Sequence, residues 1–146
     1  MSRRAYSILA VMGLVACATP LPAGAQSGKW VATIPMLTTV RGEAKLTVTS
    51  LDEKQSRAIL AIHGSQSEVS IAWEIAEGRC GMNAQAIMPV AAFPRITTRL
   101  DGSGQANPKI QKLVPGKQYY LRVYSPMREA LTDASAFGCA NLSEAP

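Results

Sequence analysis

From Lys29 onward the chain carries apolar residues at every second position, in short runs rich in Val, Ile, Thr and Tyr separated by clusters of Gly, Pro, Asp and Ser. Successive side chains of a strand point to opposite faces, so this alternation is the pattern of strands that bury one face against a core. The clearest run is Val69, Ile71, Trp73 and Ile75, alternating with Ser70, Ala72, Glu74 and Ala76. One of its faces is large and apolar; the other is small or acidic. A second clear run sets Tyr119, Leu121 and Val123 against Tyr120, Arg122 and Tyr124.

Three earlier runs read the same way: Trp30, Ala32, Ile34 and Met36; Ala44, Leu46 and Val48; and Ala58, Leu60 and Ile62. Ile96, Thr98 and Leu100 make a weaker one, Phe137 to Leu142 a closing strand, and Ala106 to Leu113 a strand that Pro108 confines to an edge. Glu77 to Pro94 reads as turn and loop, Asp101-Gly102-Ser103-Gly104 and Pro115-Gly116 as turns, and Met127 to Asp133 as one helical turn or an irregular loop. Seven or eight strands at intervals of about ten residues predict an all-β fold, an antiparallel Greek-key β-sandwich.

The first 25 residues stand apart from this pattern. Arg3-Arg4, an apolar run from Ala5 to Ala16 and a proline-containing stretch ending in Ala23-Gly24-Ala25 form a signal peptide, with cleavage expected between Ala25 and Gln26. Leu14-Val15-Ala16-Cys17 also fits a lipobox, in which Cys17 would be acylated; the two prolines ahead of Ala23 favour the first reading. The expected location is the periplasm or the exterior, with an outer-membrane lipoprotein as the alternative. The apolar run is shorter than the roughly 20 residues a spanning helix needs, and no later run is longer, so no transmembrane segment is expected.

Removing 25 of 146 residues leaves one β-sandwich domain, residues 26–146, and lowers the formal charge from +5 to +3. Lysine and arginine are scattered without a run and without interleaved aromatics, which argues against a nucleic-acid partner. Cys80 and Cys139 are the only cysteines left after Cys17 is removed or acylated, and an even pair in an oxidising compartment is expected to close. A loop of about 60 residues gives a chain-entropy stabilisation of roughly 4 kcal/mol.

The segment Trp73-Glu74-Ile75-Ala76-Glu77-Gly78-Arg79-Cys80 resembles a small exported bacterial family related to the copper/zinc superoxide dismutase sandwich and the chordin-like domain. There the matching stretch usually reads Trp-His-Ile-His, a residue or two, Gly, then Cys. Pro89 to Pro94, Asp101 to Ala106, Leu113 to Tyr124 and Phe137 to Leu142 resemble the family's later segments in the same order. The resemblance implies the sandwich, Trp73 in the core and the Cys80–Cys139 link between a loop and the last strand.

It does not imply the metal. The positions matching the family's histidines hold Glu74, Ala76 and Tyr124, and the single histidine, His63, lies outside them. Copper and zinc sites of this kind need several converging imidazoles. No cofactor is therefore expected, and these three residues are degenerate metal positions. A second resemblance, of Leu113-Val114-Pro115-Gly116 with Tyr119 or Tyr120 to the tyrosine-corner strand of fibronectin type III modules, implies a related sandwich without metal.

Other constellations read as ordinary surface chemistry. Glu74 and Glu77 lie three apart on a strand and point to opposite faces, as surface carboxylates flanking a turn. Ser65, Ser67 and Ser70 near His63 lack a nucleophile elbow and a second histidine. Asp101-Gly-Ser-Gly lacks the acidic spacing of a calcium loop, and Met36, Met82, Met88 and Met127 are scattered. Tyr120, Arg122 and Tyr124 form an aromatic and cationic stripe, readable as a binding surface, or as a face under a loop or in cross-strand pairs. The expectation is a binding or structural module of the envelope with an unidentified partner and no catalytic residue; a divergent dismutase-like metalloprotein is the alternative.

Overall fold

The alternation is realised as ten strands in the computed structural model, which describes residues 28–36, 42–124 and 136–145. They are β1 (Lys29–Met36), β2 (Gly42–Ser50), β3 (Gln55–His63), β4 (Ser70–Glu77), β5 (Ile96–Thr97), β6 (Gly104–Ala106), β7 (Lys109–Gln111), β8 (Tyr119–Tyr124), β9 (Ala136–Asn141) and β10 (Ser143–Glu144). The first sheet runs β10-β1-β2-β3-β6, with β7 pairing β3 beyond the end of β6; the second runs β5-β4-β8-β9. All pairings are antiparallel. β6 returns beside β3 although β4 and β5, in the other sheet, lie between them in sequence, which is a Greek-key exchange.

The two sheets enclose the core through the predicted apolar faces. Trp30, Ala32 and Ile34 of β1, Ala44, Leu46 and Val48 of β2, and Ala58, Leu60 and Ile62 of β3 pack against Ile71, Trp73 and Ile75 of β4 and Tyr119, Leu121 and Val123 of β8. Trp73 is fully buried; its ring meets Phe93 edge-on at 5.1 Å and its Nε1 donates to the Pro94 carbonyl at 2.9 Å. Trp30 meets Tyr119 in the same manner at 5.5 Å. Tyr119 Oη accepts from the Val114 amide at 3.0 Å, the upstream backbone contact of a tyrosine corner.

The strand count exceeds the expected seven or eight because local chemistry cuts long runs into short ones. Pro108 has no amide hydrogen, and it separates β6 from β7 while its carbonyl accepts from Ala58. Strand β5 stops at Thr97. Thr98 is buried and leaves the ladder: its Oγ1 donates to Gln66 O at 2.6 Å and accepts from Val69 N at 3.0 Å, while Leu100 is 81% exposed in the next turn. After β9 the chain changes sheets at Leu142 and β10 pairs with β1. Gly138 lets β9 lie against β1, since a Cβ there would come within 2.6 Å of Ile34 Cγ2.

The β2–β3 turn is tied by Asp52, whose carboxylate accepts from the amides of Lys54 and Gln55, both at 2.7 Å. Those bonds hold the Asp52 carboxyl below its ordinary value of 3.8. They help only the ionised form, so their contribution is complete above the ordinary value and disappears as pH falls through the lowered native one. Asp52→Asn is expected to lower the melting temperature at neutral pH and to make it fall less steeply on acidification. Melting curves over an acid pH series check this.

Candidate functional site

Strands β4 and β8 are adjacent, with Glu74 paired to Arg122, Ala72 to Tyr124 and Ala76 to Tyr120. Alternation then puts these six side chains on the outer face of the second sheet, away from the core. That face is not wet. Glu74 is 3% exposed and Arg122 5%, and Ala76, Tyr120 and Tyr124 are fully buried.

The cover is a strap formed by residues 79–89. Arg79 Nε donates to Gln118 Oε1 at 2.7 Å, the Cys80 amide to Asn141 Oδ1 at 2.8 Å, and Cys80 is bonded to Cys139 with Cα atoms 5.8 Å apart. Cys139 pairs with Arg122 across β8 and β9, so the bridge joins the strap to this same face. Further on, Tyr120 Oη donates to the Met82 carbonyl, Arg122 Nη2 donates to the Ala84 carbonyl at 2.8 Å, Ala86 bridges to Ala76, and the Ile87 amide donates to Ile75 O at 2.9 Å. The strap is fastened at its start by sulfur and at its end by backbone.

Beneath it lies a closed polar cluster. Glu74 Oε1 accepts from Arg122 Nη2 and from Tyr124 Oη, both at 2.5 Å. The guanidinium carbon stands 5.3 Å over the Tyr120 ring, a cation–π contact. Between this floor and residues 83–90 is a cleft of about 540 Å³, with Asn83 and Gln85 exposed on its wall and Ile87 and Met88 half-buried. A buried charge is tolerated when it is paired with an opposite one, which is how this outer face carries a carboxylate and a guanidinium away from water.

Of the two readings of the Tyr120, Arg122 and Tyr124 stripe, the face under a loop is the one realised. One sequence expectation is corrected. Glu74 is not a surface carboxylate; Glu77 is, and it pairs at 2.8 Å with Lys117, both about half exposed. Glu74 and Tyr124 meet directly, and Ala76 shares their face two positions along β4. His63 is exposed at the end of β3, Ser70 Oγ accepts from Arg95, and Asp101 accepts from Ser103 N and Oγ in its own turn. The signal peptide, the Ala25–Gln26 junction, Cys17 and Met127 to Asp133 lie outside the described residues. Burial of the outer face had one signal in the sequence: a carboxylate, a cation and two tyrosines all on the polar phase of two adjacent strands.

The residues present do not fit copper or zinc. Glu74, Ala76 and Tyr124 supply one carboxylate, one methyl and one phenol, and the guanidinium 2.5 Å from the carboxylate oxygen opposes a dication there. Among the described residues no group of three or more His, Cys, Asp or Glu converges as a metal site, and no helix is long and apolar enough to cross a membrane. Comparison with family models, with curated proteins and with solved structures yields no match.

The disulfide has a defined job in this geometry. Cys80→Ala with Cys139→Ala is expected to cost about 2–4 kcal/mol, from the released chain entropy. It is also expected to free the start of the strap, so that amides of residues 79–85 exchange hydrogen much faster than those of β4. Hydrogen exchange read by mass spectrometry checks both parts; an unchanged strap would contradict the assignment.

Proposed function

We propose that this chain is an exported envelope protein, periplasmic or secreted, whose β-sandwich is a non-catalytic binding module, and that the strap-walled cleft is where its partner is held. The observation that carries this reading is the cleft's construction. Its floor is a mutually neutralised Glu74–Arg122 pair and its wall is pinned at both ends, giving a preformed concavity with a few fixed polar groups and apolar side chains beside them. Glu74 Oε1 is engaged by both the Arg122 guanidinium and the Tyr124 hydroxyl. Such a floor suits positioning a ligand better than exchanging protons with one.

A photo-crosslinking residue placed at Gln85, on the cleft wall, is expected to form one discrete adduct in intact cells, and one placed at Leu100 is expected to form none. Smearing without a discrete adduct at Gln85, or the same adduct from Leu100, would count against the cleft. The dismutase-like alternative is separated by metal analysis of protein purified from the envelope. Stoichiometric copper or zinc, or superoxide dismutation after copper is added, would overturn the non-catalytic reading.

A further inference from the structure

The scattered cations of the sequence are not scattered in space. Lys29 of β1 pairs with Thr49 of β2, Thr49 with Arg57 of β3, and Arg57 with Lys109 of β7. These side chains point away from the core, in one cross-strand row that spans about 14 Å at the usual strand spacing. Lys45 lies on the same outer face of the first sheet, and Lys54 and Lys112 stand at its β2–β3 end, where the Lys112 amide donates to Lys54 O. Among the described residues, every Lys or Arg that makes neither an ion pair nor a side-chain hydrogen bond, except Arg99, belongs to this group.

Acid is sparse on the face. Glu43 sits at its far end, opposite His63. At the near end are Glu53 and Asp52, and Asp52 is close enough to Lys109 and Lys112 to feel their charge, though its hydrogen bonds go to backbone amides. Arg57 and Lys109 oppose each other directly, an arrangement that weakens a sheet. An anionic partner would relieve that repulsion.

We propose that the outer face of the first sheet docks on an anionic membrane surface, with Lys29, Arg57 and Lys109 set against lipid phosphates and Lys45 beside them. Lys29, Arg57 and Lys109 form a row across the strands and Lys45, four residues from Thr49 along β2, extends the group in the other direction, which suits a planar partner; a linear polyanion is tracked by cations along a groove.

The test is cosedimentation of residues 26–146, which lack Cys17 so that no acyl group contributes, with vesicles of phosphatidylglycerol and phosphatidylethanolamine or of phosphatidylcholine alone. Binding is expected only to the anionic vesicles, and is expected to vanish near 1 M salt, where the screening length is about 3 Å. The combined variant Lys29→Gln, Arg57→Gln, Lys109→Gln is expected to bind on the order of a hundredfold more weakly, since each cation near an anionic surface contributes about a factor of five. The three residues are exposed, so the variant should melt no lower than the parent, which separates lost binding from lost fold. Equal binding to neutral vesicles, an unaffected variant, or tighter binding to soluble polyphosphate than to vesicles at equal phosphate would each overturn the proposal. The face is a different surface from the strap-walled cleft, so this result and the Gln85 crosslink succeed or fail independently.

Discussion

Arg122→Ala is expected to destabilise the domain by about 3–5 kcal/mol, the range found when one partner of a buried ion pair is removed. The reason is what stays behind. Glu74, 3% exposed, would keep one donor, Tyr124, and lose the opposite charge that makes its burial tolerable. The Ala84 carbonyl would lose its guanidinium donor as well, loosening the strap. Glu74→Leu combined with Arg122→Met is expected to recover most of the loss, because both charges then leave together and the replacements fill similar volume. Urea unfolding of Glu74→Leu, of Arg122→Met and of the double gives the coupling energy. Additive single effects would mean that the pair is not the closed unit described above.

Trp73→Ala is expected to cost about 3–5 kcal/mol through the cavity it leaves between the sheets. Against a total of about 5–15 kcal/mol for a domain, that is a large share. The ring is fully buried among Ile71, Ile75 and Phe93, and its indole donates to Pro94, which fixes the path of the segment entering β5. Trp73→Phe keeps most of the apolar surface and removes the donor to Pro94, so its expected cost is smaller, about 1–3 kcal/mol. A change below about 1 kcal/mol for Trp73→Ala would mean that the ring does not fill the space between the sheets.

Much of the fold was legible from spacing. The alternation in β1, β2, β3, β4 and β8 named the core-facing residues correctly, since a strand that buries one face must place apolar side chains two apart. With Cys17 set aside as part of the N-terminal segment two cysteines were left, and Cys80 and Cys139 are bonded. What spacing left undecided lies where a strand's second face meets another part of the chain. Glu74, Tyr120, Arg122 and Tyr124 occupy the polar phase of their strands, and polar phase normally means water. Here it means a strap, because residues 79–89 fold back over the sheet and are fastened there.

By itself, then, the sequence determined an all-β chain, the inward phase of each long strand, the turns between them and a disulfide. These are consequences of local periodicity and composition, which act over a few residues. The order of the strands, the Greek-key return of β6 to β3, the burial of an ion pair on an outer face and the gathering of Lys29, Arg57 and Lys109 into one row were decided only by tertiary structure. Their cause is contact between residues far apart along the chain. Periodicity tells a strand which side to turn inward; what lies beside it, or over its other side, depends on where the rest of the chain comes to rest.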